Sequence, residues 1–250
     1  MTDRASDTAA IADGTVIWHD LEYGSYAADL PLWLELAGRH GSPLLELGAG
    51  TGRVTLELAR HGHSVVALDR DAQLLGELRR RAGTLDVETV VADARAFALQ
   101  RRFALCVVPM QMVQLLGGAA GRAAMLARAA RHLRPGGALA IAISPDLERW
   151  SARDGAGAPL PDTCEREGTI YFSQPTAVSL EHEGYVLERR RETVSPTGHR
   201  AARLHRIRLD HLSAHQLELE GAGCVLAPTG RRRIPATRDY ASSEVVIFSV

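Results

Sequence analysis

The stretch Leu44-Leu45-Glu46-Leu47-Gly48-Ala49-Gly50-Thr51-Gly52-Arg53 runs straight into Val54-Thr55-Leu56-Glu57-Leu58-Ala59. A short apolar run, three alternate glycines and then apolar positions four apart at Val54 and Leu58 read as strand, tight turn and helix. A chain that leaves a buried strand and enters a helix within a few residues needs positive φ or a missing Cβ, so a ligand there lies against bare backbone. The helix start adds unpaired N–H groups and a partial positive charge, which suit an anionic group. Arg53 at that end opposes the dipole unless something negative lies close. A ligand carboxylate would serve, and so would Glu57 four residues on. The spacing excludes the G-x-G-x-x-G dinucleotide loop, because Arg53 stands where its last glycine would be, and it is not that of a phosphate-cradling P-loop.

At these residues the chain resembles the class I S-adenosylmethionine-dependent methyltransferases. Their first motif is an acidic residue, any residue, then Gly-x-Gly-x-Gly, and Glu46 fills the acidic position. The resemblance implies S-adenosyl-L-methionine as methyl donor, with Glu46, Gly48, Ala49, Gly50, Gly52 and Arg53 as donor-binding positions.

Downstream, Ser64-Val65-Val66-Ala67-Leu68-Asp69 reads as a buried strand ending in a carboxylate. An acidic side chain at the carboxyl end of the second strand can accept hydrogen bonds from both ribose hydroxyls. The competing role for Asp69, capping the helix that holds Leu74, Leu75 and Leu78, falls more naturally to Asp71. Arg70 is placed along the adenine face. A third strand, Val87 to Val91, runs to Asp93 and Ala94. In the family such an Asp meets the adenine amino group, and the backbone of the next residue meets a ring nitrogen. The fourth strand, Phe103 to Val108, is apolar throughout and leads into Pro109-Met110-Gln111. In a sheet of order 3-2-1-4-5, strands 1 and 4 flank the reversal of winding where ligands sit, so Pro109 and Gln111 would face the glycine loop. Gln111 is a candidate for donor or acceptor through its amide, or else an ordinary surface or capping glutamine. A helix from Ala119 to Leu133 ends at Arg134-Pro135-Gly136-Gly137, which resembles the family's turn before the fifth strand, Ala138 to Ile143.

The 250 residues carry a formal net charge of −1, with all 29 basic residues Arg; Lys and Asn are absent. Near-neutral charge gives no global attraction to nucleic acid or membrane, so neither is expected as a partner. Without Lys there is no Schiff base and no P-loop lysine, and without Asn no N-glycosylation. The arginine runs at 79–81, 189–191 and 231–233 read as solvated helix ends or strand faces. Three widely spaced cysteines give neither a metal pattern nor a disulfide framework, so no metal is expected and a reducing, cytoplasmic setting is. The N-terminus lacks the order of a signal peptide, and no apolar run approaches a membrane span.

Before the first strand, residues 1 to about 15 read as a loose leader. An aromatic segment, Trp18 to Tyr26, follows, and then a helix from about 30 to 39 with Asp29 as N-cap, Pro31 in its first turn and a stop at Gly41. In methyltransferases of this type such a segment often folds over the ligand. Tyr26 is therefore a candidate donor contact and Tyr23 an acceptor contact, with ordinary packing the alternative for both.

After Pro145 the pattern changes. Residues 151–164 read as a periodless loop, and Thr169–Phe172, Ala177–His182, Tyr185–Arg190 and Leu204–Leu209 as antiparallel strands. Such an inserted sheet resembles the acceptor lid of sugar N-methyltransferases and glycine N-methyltransferase. Tyr171, Arg206 and Arg208 are its candidate acceptor contacts, with Arg206 and Arg208 on one face and His205, Ile207 and Leu209 on the other. An inward arginine face implies an anionic acceptor; an outward one is a solvated surface. His19 and His205 are candidate bases, needed only if the acceptor arrives protonated.

The expected fold is α/β: a Rossmann-like seven-stranded sheet of order 3-2-1-4-5-7-6, last strand antiparallel, with an antiparallel β lid after strand 5. The expected divisions are an N-terminal covering segment (1–43), the donor-binding core (44–145), the lid (146–212) and a closing helix and hairpin (213–250). The expected function is methyl transfer to a small-molecule N, O or C nucleophile, with a homodimer through the lid sheet as a candidate assembly. A non-catalytic donor-binding protein, or an enzyme moving another group from the same donor, are the alternatives.

Overall fold

The computed structural model describes residues 14–154, 157–182 and 184–250, which leaves the leader expected at the N-terminus largely outside the described residues. The chain divides into two compact units: residues up to Ser25 with Leu147–Leu209, and Tyr26–Asp146 with Asp210–Val250.

The larger unit is built on strands β1 (Leu44–Leu47), β2 (Val65–Asp69), β3 (Val87–Val91), β4 (Phe103–Val108) and β5 (Leu133–Ile143). These lie parallel; β12 (Ser243–Ser249) pairs antiparallel with β5, and β11 (Ala227–Ile234) pairs antiparallel with β12 at the edge. The order is β11-β12-β5-β4-β1-β2-β3. Counting strands of this sheet alone, that is the 3-2-1-4-5-7-6 arrangement expected. All four residues of β1 and all six of β4 are buried, as strands covered on both faces must be.

Helices cover the two faces. On one, α5 (Ala119–His132) and α6 (Ala214–Ala222) bring Met125, Leu126, Ala129 and Leu217 onto Leu45, Cys106, Leu139 and Phe248. On the other, α2 (Leu30–His40) and α3 (Arg53–Arg60) pack Trp33, Leu36, Val54 and Leu58 against Leu44, Leu105 and Val107. Each fully buried side chain of this size contributes about 1.5 to 3 kcal/mol. Helix α4 (Ala72–Ala82) starts under Asp71, whose Oδ1 accepts from Gln73 N at 2.9 Å and Leu74 N at 3.2 Å. Asp71, not Asp69, is therefore the cap. Helix α2 starts at Asp29 and stops at Gly41, whose φ of 74° ends it. Asp29 makes no capping bond, contrary to expectation, because its carboxylate is used elsewhere.

The smaller unit is an antiparallel sheet of order β10-β9-β8-β6, with β7 also on β8. Its strands are β6 (Trp150–Ser151), β7 (Asp162–Arg166), β8 (Thr169–Glu181), β9 (Gly184–Val194) and β10 (Arg200–Asp210). Two expectations are corrected here. The stretch 151–164 holds the end of β6 and the start of β7 rather than being a loop throughout. The segments 169–172 and 177–182 belong largely to one strand, whose register shifts between Pro175 and Ala177. Proline removes a ladder donor and sits at such irregularities, so in the sequence it resembles a break. Helix α1 (Thr15–Tyr23) packs on this sheet, with the Trp18 ring edge-on to Tyr171 at 5.2 Å. Gly14, its N-cap, offers no side-chain bond, so no capping residue announces the helix.

Candidate active site

In the larger unit the sheet reverses its winding between β1 and β4, and the residues singled out in the sequence gather at the carboxyl ends of β1 to β4. Gly48, Gly50 and Gly52 all have positive φ, at 76°, 55° and 93°. A Cβ on Gly52 would lie 2.2 Å from Leu78 Cδ1, and one on Gly48 would lie 2.5 Å from Met112 Cγ. The loop is thus pressed between α4 and the segment after β4, and only bare backbone fits.

Asp69 closes the loop from the next strand. Its Oδ2 accepts from Gly50 N at 2.9 Å and its Oδ1 from Asp71 N at 2.9 Å. A carboxylate has about four acceptor sites, so two backbone bonds leave capacity for a diol. Gly48 N and Ala49 N both donate to Leu68 O, at 2.8 and 3.0 Å, which pins the start of the turn to β2.

Glu46 lies beneath the loop at 2 % exposure and accepts a hydrogen bond from the Thr55 hydroxyl on α3. Burial pushes its pKa up to about 8, against the lowering effects of Thr55 and Arg53. It joins β1 to α3.

Arg53 does not pair with Glu57. Its guanidinium donates to Asp29 Oδ1 at 2.5 Å and Oδ2 at 2.8 Å and to the Tyr26 carbonyl at 2.9 Å, and lies 5.0 Å from the Tyr26 ring centroid. Glu57 pairs with Arg60 and His61 instead, each at 3.6 Å. Asp29, 24 residues upstream, supplies the negative charge that this helix end required. Tyr26 is buried, with Ser243 hydrogen-bonded to its side chain and the Tyr240 ring tilted at 45° to its own, centroids 4.8 Å apart.

At the ends of β2 and β3, Arg70 is exposed and close enough to Asp93 to help lower its pKa. Asp93 is chelated by Arg95, with contacts from 2.6 to 3.1 Å, and is held at about 2 chiefly by those bonds. Ala94 is buried at 8 % exposure. After β4, Pro109 is buried and Met110 takes φ 54°, a strained value that nothing in the sequence signals. Gln111 then donates through Nε2 to Ser144 Oγ at 2.8 Å. Gln114, which sequence reasoning missed, is fully buried. Its Nε2 donates to Ser144 O at 3.2 Å and Asp210 O at 2.8 Å, and its Oε1 accepts from Ser144 N at 2.8 Å.

The remaining candidates belong to the smaller unit. Tyr23 and His19 pack ring to ring at 5.4 Å, and Tyr171 packs on Trp18. Arg206 and Arg208 are exposed; Arg206 pairs with Glu188 at 2.5 Å and Arg208 donates to Glu181 O at 3.4 Å. They line the solvated face. His205 is half-buried, and burial followed by the Arg191 charge lowers its pKa, so the ring is neutral at pH 7. Among the described residues no group of three or more His, Cys, Asp or Glu could hold a metal ion, and no helix is long and apolar enough to cross a membrane.

Residues 44–137, the span of the glycine loop, Asp69, Asp93 and Gln111, match the family profile described as a methyltransferase domain. This segment is similar to methyltransferase domains. The cypemycin N-terminal methyltransferase of a Streptomyces species is 35% identical over 98 residues, covering 39% of this chain and 40% of the relative. The dTDP-3-amino-3,6-dideoxy-alpha-D-glucopyranose N,N-dimethyltransferase of Streptomyces fradiae is 31% identical over 120 residues, covering 48% and 46%. The chain thus spans less than half the length of these two relatives. Among solved structures, SAM-bound CalS10, an amino pentose methyltransferase from Micromonospora echinaspora, aligns over 100% of this chain and 98% of its own. Its TM-score is 0.66 at 20% identity. The methyltransferase domain and the sheet inserted after β5 therefore have the fold of the class I S-adenosylmethionine-dependent methyltransferases.

Proposed function

We propose that this chain transfers a methyl group from S-adenosylmethionine to an amine nitrogen of a small molecule. The observation that carries the reading is the bond from Gly50 N to Asp69 Oδ2, which holds the glycine turn and the acidic strand end as one rigid cradle. The steric closeness of Leu78 and Met112 to Gly52 and Gly48 supports it, because such a turn tolerates a ligand against backbone and nothing else.

Bound there, the donor supplies an electrophilic methyl group on a leaving thioether that needs no acid. The residues of this chain then bind and align. Asp69 accepts from the ribose hydroxyls, Asp93 and the Ala94 backbone meet the adenine edge, and the loop from Gly48 to Gly52 takes the amino-acid end. Arg53, neutralised by Asp29, holds the helix start in place and supports the loop from behind. Alignment alone can contribute on the order of several kcal/mol to such a displacement. The names of both relatives and of the solved structure specify amines, amino sugars or an N-terminus, which favours nitrogen over oxygen or carbon as acceptor atom. The near-neutral net charge suits a small acceptor rather than nucleic acid.

Calorimetry with S-adenosylhomocysteine tests the donor site: Asp69→Ala and Gly50→Val proteins that remain folded should lose at least tenfold in affinity, about 1.4 kcal/mol. Unchanged affinity in both would remove the basis for this function. Release of S-adenosylhomocysteine with a panel of amino sugars and peptide amines, against matched alcohols, tests the acceptor atom.

A further inference from the structure

Among the described residues, Met110, Glu167, His182 and Val225 take positive φ without being glycine. Glu167 and His182 lie in the turns that join β7 to β8 and β8 to β9, and Val225 in the turn that ends α6. Met110, at 54°, instead leaves the buried strand β4 where the sheet reverses its winding, which is where ligands sit in such sheets. A strained backbone persists only where its surroundings over-determine it, and residues held in this way gather at binding and catalytic sites.

The surroundings of this bend are specific. On one side Met112, two residues on, lies so close to the glycine loop that a Cβ on Gly48 would be 2.5 Å from its Cγ. On the other stands Ser144, fully buried just past the end of β5. Each polar group of Ser144 is engaged by the segment after β4. Its Oγ accepts from Gln111 Nε2 at 2.8 Å, its carbonyl accepts from Gln114 Nε2 at 3.2 Å, and its N donates to Gln114 Oε1 at 2.8 Å. Gln114 N in turn donates to Gln111 O at 2.9 Å, at the start of a short 3-10 helix, Met112–Leu115. The two Gln114 bonds fix the far end of the segment; the Gln111 bond fixes the end next to Met110. An apolar residue would fill a buried strand end as well, and a hydroxyl there costs desolvation unless it is bonded. The serine is therefore explained by the amide it holds.

We propose that Ser144 is a positioning residue for the donor site: through Gln111 it keeps Met110 in its strained bend, and so keeps Met112 against Gly48 and the glycine loop in its binding shape. All of these residues belong to the larger unit. The link to the methyl donor rests on the methyltransferase reading; the hold on the loop does not.

Ser144→Ala removes the hydroxyl and leaves both Gln114 bonds to the backbone of residue 144. In the full chain it should weaken S-adenosylhomocysteine binding by about tenfold in calorimetry, and it should speed amide exchange at Gly48 in the ligand-free protein. Adding Met110→Gly to this variant should restore both, because glycine takes positive φ without strain and the bend then needs no anchor. A serine that merely supported the fold would not be rescued at Met110. Gln111→Met breaks the same bond from its half-buried partner, should reproduce both changes, and replaces Ser144→Ala if that protein does not fold. Unchanged affinity or unchanged exchange when the bond is broken, or a loss that Met110→Gly leaves in place, overturns the inference. Wild-type protein that binds no S-adenosylhomocysteine defeats the methyltransferase reading instead, and exchange at Gly48 then decides by itself whether Ser144 holds the loop.

Discussion

Arg53 at the first turn of α3 and Asp29 before α2 form a two-pronged ion pair at 2.5 and 2.8 Å, with Asp29 1 % exposed and also accepting from Trp33 Nε1 at 2.8 Å. The pair locks the helix that follows the glycine loop to the segment entering the larger unit. Replacing Asp29 by Ala strands a largely buried guanidinium, so the variant should lose about 3 kcal/mol in urea denaturation. A double Asp29→Leu, Arg53→Met protein should recover most of that. A double variant no more stable than the single one would show that packing around Asp29, rather than the charge pair, sets the cost.

The glycine loop should respond unequally to added methyl groups. Gly52→Ala places Cβ against Leu78 and Leu56 in the core at φ 93°, whereas Gly48→Ala meets mainly the flexible Met112 side chain at φ 76°. Gly52→Ala should cost about 2 to 3 kcal/mol and Gly48→Ala nearer 1 to 2 kcal/mol. Thermal denaturation of the two would check the order, and a reversed order would mean that α4 yields more readily than the segment after β4.

Glu46 should make stability depend on pH in an unusual direction. Its folded pKa, about 8, lies above the ordinary 4.5, so between those values the folded protein holds a proton that the unfolded chain has released. Stability from this group is fully present below the unfolded value and falls as pH rises towards 8, by on the order of a few kcal/mol. Subtracting the urea stability of Glu46→Gln from that of the wild type across this range should isolate the decline. A flat difference would mean that Glu46 is ionised in the fold.

Gln114 ties Ser144, at the end of β5, to Asp210, at the end of β10. These residues stand near the two places where the chain passes between its units, after Asp146 and before Asp210. Gln114→Leu leaves one N–H and two carbonyls without this partner in a site where Gln114 and Ser144 are fully buried, and should cost about 2 to 3 kcal/mol. Faster amide exchange at Ser144 in the variant would accompany the loss. A loss under about 0.5 kcal/mol, with exchange unaltered, would show that water replaces the amide at no cost.

Much of this protein was legible from residues alone, because the relevant physics is local. Apolar runs mark β2, β4 and the second half of β5, and the alternate glycines mark a turn with positive φ. Asp71 and Gly41 mark a helix start and a stop, and Asp69 stands where a strand must end. Each of these follows from backbone geometry within a few residues. The inserted unit was less legible: Pro175 disguises one long strand as two, and Gly14 gives α1 no cap to read.

What only tertiary structure decided is which charged groups meet. Arg53 was recognisable as a cation in want of an anion, but whether Glu57 or Asp29 answered depended on how α2 packs beside α3. Arg189, Arg190 and Arg191 look alike in sequence; alternation divides them, and only the placement of Glu22 on α1 determines which face is inside. Hydrophobic periodicity is written along the chain because burial of one face repeats with the turn of the helix or the pleat of the strand. Ion pairs join side chains distant in sequence, and their choice of partner follows from packing that no short stretch of residues contains.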